Sequence, residues 1–154
     1  MISLLLVIAL TTAGGAARNL FDCSEPPPPN GSLRAATAVF SGKVLGFDYV
    51  TDNDELSPGQ FVQRMTVRIA VERVWKGDVY GEATMYTSKV FLPNGVTRSN
   101  AEDFHFQDQK EYLIYAFGKP DHLSTSECTR TRDLSKASSD LKELGPGHEP
   151  SLRK

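Results

Sequence analysis

The chain has 154 residues, a formal net charge of -2 and 40% hydrophobic residues. That length makes one domain able to bury a real core. The slightly acidic balance argues against a protein built to coat phosphate backbones or anionic membrane surfaces. With two cysteines and three histidines, thiol or imidazole chemistry would have to come from very few groups.

Residues 1–17 read MISLLLVIALTTAGGAA, an apolar run followed by small residues. The run is too short to span a bilayer and ends in a small-x-small pattern, so it reads as a secretory signal peptide cut after Ala17. No second long apolar stretch follows, and membrane insertion is not expected. Export places the chain outside the cell, or in the periplasm of a bacterium. Two free thiols would be unusual in an oxidising compartment, so Cys23 and Cys128 are expected to form a disulfide. Closing a loop of about a hundred residues contributes up to ~4.7 kcal/mol in the chain-entropy model.

Pro26 to Pro29 favour an extended polyproline-type segment. Asn30-Gly31-Ser32 matches the N-glycosylation acceptor pattern, with Asn30 as the attachment point. Ser32 is placed to cap one helical turn through Ala36. Residues 38–50 read as a strand, with Gly42 and Gly46 marking a bend or a close backbone approach. After the polar loop TDNDELSPGQ, residues 61–75 alternate cleanly: Met65, Val67, Ile69 and Val71 point one way, Arg64, Thr66, Arg68 and Glu72 the other. The alternation slips at Arg73–Val74, which predicts a bulge.

Residues 82–88 form a third strand, and 111–117 (EYLIYAF) a central one that is apolar on both faces. Residues 122–128 form a fifth, more polar strand ending at Cys128. Residues 133–144 then place Leu134, Ala137, Leu141 and Leu144 on one stripe, an amphipathic helix stopped by Gly145-Pro146-Gly147. The fold class is therefore all-β with short terminal helices: a five-stranded OB-type Greek-key barrel spanning 18–145, with a C-terminal amphipathic helix. The tail, 146–154, is expected to be disordered.

Chemistry is sparse. His105, His122 and His148 lie in separate segments, and no HExxH, CxxC or calcium-loop pattern occurs. No GxSxG elbow or free thiol supplies a nucleophile. TDNDE reads as a solvated turn, and CTRTRD as a solvated strand end. These features predict a binding module with no catalytic residues, no intrinsic metal and no cofactor, and nucleic acid is not an expected partner.

Four blocks narrow the reading: CSEPPPPNGSLRAATAVFSGKVLG, VERVWKGD, FHFQDQKEYLIYAFGK and STSECTRTRDLSKASSDLKELG. Together, from Cys23 to Gly145, they resemble the tissue inhibitor of metalloproteinases family and its short netrin-like relatives. The resemblance implies an OB-type barrel and an inhibitory ridge made here of Cys23, Ser24, Pro26, Pro27, Pro28 and Pro29. In that family the mature chain opens on a Cys-x-Cys pair. Its free α-amino group and carbonyl oxygen chelate the protease's catalytic zinc and displace the attacking water. This chain departs from the pattern: with Cys23 joined to Cys128, Phe21 occupies the first cysteine's position, and Glu102 stands where that cysteine's partner would be. The implied partner is an extracellular zinc metalloendopeptidase. The alternative is a non-inhibitory netrin-like module that binds a matrix or cell-surface protein.

Overall fold

A computed structural model describes residues 23–152. The leader, its cleavage point after Ala17 and Phe21 lie outside the described residues. The elements in order are α1 (Pro29–Ala35), β1 (Ala38–Asn53), β2 (Phe61–Lys76), β3 (Glu82–Phe91), β4 (Thr97–Arg98), β5 (Glu111–Lys119), β6 (His122–Ser124) and β7 (Arg132–Asp133). A 3-10 turn (Leu134–Lys136) and α2 (Ser138–Leu144) follow. The described residues are mostly β, with two short helices.

Among the described residues seven strands replace the expected five, although β4 and β7 are only two residues long. The sheet order is β1-β2-β3-β6-β5-β7, with a further β1–β5 pairing and β4 beside β3. Between β3 and β6 the pairing is a single parallel pair, Met85 with Leu123. The sheet is thus not a closed, continuously laddered barrel. β6 stops at Ser124, short of the expected Cys128, because the following hydroxyls turn inward. Thr125 Oγ1 lies 2.9 Å from Thr129 Oγ1 and 2.7 Å from Thr131 Oγ1, and Thr129 N–H donates to Ser126 O (3.1 Å). Side chains that bond their own neighbourhood compete with a ladder.

β1 and β2 run antiparallel along nearly their whole length, with register breaks that pass over Glu72 and Trp75, flanking the predicted slip at Arg73–Val74. Gly42 permits the approach. A Cβ there would overlap Ala70 O and press on Ile69 Cγ2. Gly46, at φ +153°, sits at a third break, between Val44 and Gly46. The β2 pattern holds from Val67 onward, but Val62, Arg64 and Thr66 are also buried. A register break between Arg64 and Thr66 against β3 accompanies this change of face.

Two apolar clusters result. The larger holds Phe40, Val44, Ile69, Val74, Met85, Tyr112 and Ile114 between the strands. The smaller joins Val39, Leu113, Tyr115 and Ala137 under the two helices, with Trp75, Leu141 and Leu144 packed against it. Each fully buried side chain of this size contributes about 1.5–3 kcal/mol by leaving water.

The tail departs from expectation. Val74 and His148 exchange backbone bonds of 2.9 and 2.8 Å, and Ser151 N–H donates to Val79 O (2.8 Å). Ser151 Oγ adds a bond to Asp78 (2.7 Å), and Trp75 Nε1 donates to Gly145 O (2.8 Å). Residues 146–152 therefore run along the β2 end as an ordered strap. A polar, proline-containing tail can still be fixed when its backbone finds partners.

Candidate functional site

Residues 23–28 precede α1 without regular structure. Prolines fix φ and carry no N–H, so the segment is stiff and cannot join a ladder through its nitrogens. Its start is tied covalently by the Cys23–Cys128 disulfide, with Cα atoms 5.1 Å apart. Its end is tied by hydrogen bonds. Pro27 O accepts from Ser32 Oγ (2.8 Å) and from Arg130 Nη1 (3.2 Å), while Pro28 O accepts from Ser32 N–H (2.9 Å).

Between those ties Ser24, Glu25, Pro27 and Pro28 are exposed, and Cys23 and Pro26 are half-buried. Pro29 is different: it opens α1 and is buried. At that position the missing N–H costs nothing, because the first helical N–H groups have no helical partner. The helix starts at Pro29 rather than at a Ser32 cap; Ser32 sits inside it, 4% exposed, and braces the ridge. Asn30 is exposed on α1, and its N–H donates to Glu143 Oε1 on α2 (3.1 Å). Lys76 Nζ donates to Leu33 O (3.0 Å) and Arg34 O (2.7 Å), satisfying carbonyls at the helix end.

Beneath the ridge lies a charged anchor that the sequence reading did not identify. Asp140 has no exposed side-chain surface and takes a two-pronged bond from Arg130: Nε to Oδ2 at 2.9 Å and Nη2 to Oδ1 at 2.7 Å. Tyr115 Oη donates to Asp140 Oδ2 (3.2 Å). Burial pushes the Asp140 carboxyl up, but the Arg130 hydrogen bonds and the charges of Arg132 and Arg130 outweigh it and hold it below its ordinary value. Burial, with the neighbouring Asp140 charge, raises Tyr115. Arg130 is raised by its bonds to Asp140. The same arginine thus reaches both the buried acid and the ridge carbonyl. A sequence signal existed: Asp140 falls at the stripe spacing between Ala137 and Leu144, an acid on an apolar helix face.

The long connection after β3 closes on the same place. Glu127 N–H donates to Glu102 O (2.8 Å), Asp103 bridges to Ser126, and His105 N–H donates to Glu127 Oε1 (3.2 Å). Glu102 therefore sits beside the segment holding Cys128, joined by hydrogen bonds rather than by a second disulfide. From there an open groove of about 980 Å³ extends past Arg64, Ser88, Glu102, His122 and Cys128. In it the His122 ring stacks on Tyr86, centroids 3.7 Å apart.

Arg64, on the face assigned to solvent, is instead buried. It bonds Asp52 (2.5 Å), Glu55 (3.2 Å) and Thr87 O (3.1 Å). That bond holds the Asp52 carboxyl below its ordinary value. The TDNDE turn is thus partly internal: Asp54 is 3% exposed and paired with Arg98, which lowers its carboxyl in the same way. Among the described residues no group of three or more His, Cys, Asp or Glu side chains could hold a metal ion. Among them, also, no helix is long and apolar enough to cross a membrane. The structure brings Cys23, the prolines, Cys128 and the Glu102 connection together and leaves the three histidines apart. No protein-family model matches the chain, and comparison with curated proteins finds no match.

Proposed function

We propose that this protein is a secreted, non-enzymatic inhibitor of an extracellular zinc metalloendopeptidase, of the tissue-inhibitor and netrin-like kind. It docks the Cys–Pro ridge into the protease cleft. The observation that carries this reading is the ridge itself: exposed at Ser24, Glu25, Pro27 and Pro28, yet fixed by a disulfide at one end and by Ser32 and Arg130 at the other. A segment already held in one conformation gives up little entropy on docking. The chelating amine belongs to whichever residue is N-terminal after processing, and the zinc it meets is the protease's own.

An OB-type, partly open Greek-key sheet is part of the proposal. Its support is that the pairings β1–β2–β3–β6–β5 return to β1, with a parallel β3–β6 step. Secretion is supported by the leader pattern and by the disulfide. Titrating the purified mature protein against a panel of zinc endopeptidases tests the function: dose-dependent slowing is expected, and none at micromolar concentrations retires the reading.

A second reading, a netrin-like module that binds a matrix or cell-surface protein without inhibiting, is favoured by one observation. The Glu102 connection lacks the second staple that the family pattern would place there. Sequencing the mature N-terminus separates the two. A start at Cys23 favours inhibition; a start at Arg18 leaves five residues ahead of Cys23 and favours the module.

A further inference from the structure

Among the described residues, the outer half of β1 is an unpartnered sheet edge. β5 pairs with β1 only from Ala38 to Lys43, and the 109–110 turn takes Val44 (Val44 N–H to Lys110 O, 2.9 Å; Gln109 N–H to Val44 O, 3.2 Å). Beyond Val44, among the described residues, β1 pairs with β2 alone. Asp54 N–H donates to Gln60 O (2.8 Å) across the hairpin. Counting back by twos from there, the peptide groups of Phe47, Tyr49 and Thr51 face away from β2. Asn53 N–H, also outward, is already taken by Asp52 Oδ1 (2.8 Å).

Proteins blunt such edges with lysine, proline, other charges or a bulge; the bulge on this edge ends at Gly46 and its acids are Asp48 and Asp52, but residues 44–53 contain no lysine or proline. They present aromatic side chains instead: Tyr49 is 56% exposed, Phe47 36%, and Phe61 across the hairpin 62%. Tyr49 meets Phe91 edge-on at 5.3 Å, so the aromatic face continues onto β3.

We propose that this edge is where two copies of the chain pair, antiparallel, about a two-fold axis through Tyr49. The register is self-complementary. Tyr49 lies opposite its counterpart and Phe47 opposite Thr51, and the three outward peptide groups of each copy exchange about six hydrogen bonds. Tyr49 and Phe47 of the two copies then share one face, the arrangement in which cross-strand aromatic pairs stabilise a sheet.

Charge does not oppose a second copy. The two acids on the segment are each held within their own chain, Asp48 by Arg68 (2.6 Å) and Asp52 by Arg64 (2.5 Å). In this register Asp48 faces Val50 and Asp52 faces Gly46, so no acid stands opposite another. The pairing joins two sheets into one without burying an uncompensated carboxylate.

Sedimentation velocity over a concentration series, paired with amide exchange, tests the proposal. The average mass should climb from one chain toward two, with protection of the Phe47, Tyr49 and Thr51 amides rising in step. Thr51→Pro removes an outward N–H and leaves the β2 ladder intact, and Tyr49→Lys places a charge on the edge. Each should weaken association at least about tenfold while the circular dichroism spectrum stays unchanged. A chain that remains single at millimolar concentration overturns the proposal. So does association that both variants leave untouched. Protection of those three amides at the lowest concentration also overturns it, since a segment of the same chain would then occupy the edge.

Discussion

The two halves of β1 show how neighbouring stretches of one strand acquire different roles. From Ala38 to Val44 the strand is paired on both sides and nearly every side chain is buried; from Leu45 to Asn53 it is paired on one side and mostly exposed. Both halves read as apolar in the sequence. The difference comes from what stands beside them: the inner half has β5 and the apolar cluster under the helices, and the outer half has, among the described residues, only its hairpin partner. Fixing backbone costs about 1–2 kcal/mol per residue, and the inner half offsets this by burial while the outer half has little to offset it with. The inner end should therefore behave as the rigid platform and the outer end as the adaptable surface.

Substitution should separate the halves most sharply. Phe40→Ala, in the fully buried half, is expected to cost about 3–5 kcal/mol by denaturant unfolding. Phe47→Ala, seven residues on and 36% exposed, should cost no more than ~1 kcal/mol. Equal losses would erase the distinction.

Asp140 tests the platform electrostatically. Asp140→Ala strands the Arg130 charge and should cost about 3–5 kcal/mol at neutral pH. The folded carboxyl titrates below its ordinary value of 3.8, so its contribution is complete above that value and is lost as pH falls through the lower, folded one. The gap between wild type and Asp140→Ala, followed by thermal melts, should narrow only below about pH 4. Asp52, Asp54 and Asp133, held down by Arg64, Arg98 and Lys110, steepen the same acid limb. A gap that widens on acidification would show the sign to be wrong.

Opening the staple comes next. Cys23→Ser with Cys128→Ser is expected to lower stability by about 2–4 kcal/mol and to raise amide exchange in α1 ahead of the outer hairpin. Loss of protection in the hairpin first would move the staple's influence to the wrong end. The smallest effect should be Arg68→Ala, whose pair with Asp48 is half exposed on both sides. A change below ~1 kcal/mol that shrinks further in salt is expected.

What the sequence disclosed follows the same division. β1, β2, β3 and β5 were legible to within a few residues because alternation and apolar runs are local signals. The disulfide followed from compartment and cysteine number. The Arg130–Asp140–Tyr115 anchor was hidden because its members are brought together from three segments, and because Arg130 looked like a solvated strand end. Arg64 and Thr66 were misread for a related reason: a register break against β3 changes which face is inside, and a one-residue slip leaves no trace in composition. The ordered tail depends on free backbone groups at Val74 and Val79, a property of the folded sheet that no tail sequence announces.

The proposed docking of a pre-set ridge into a zinc cleft depends most sharply on the mature N-terminus. Inhibition constants should be measured against one zinc endopeptidase for a chain beginning at Cys23 and for one beginning at Arg18. The Cys23 form is expected to bind at least about tenfold more tightly, a difference of about 1.4 kcal/mol or more. Equal constants for the two forms, or no inhibition by either, would contradict it.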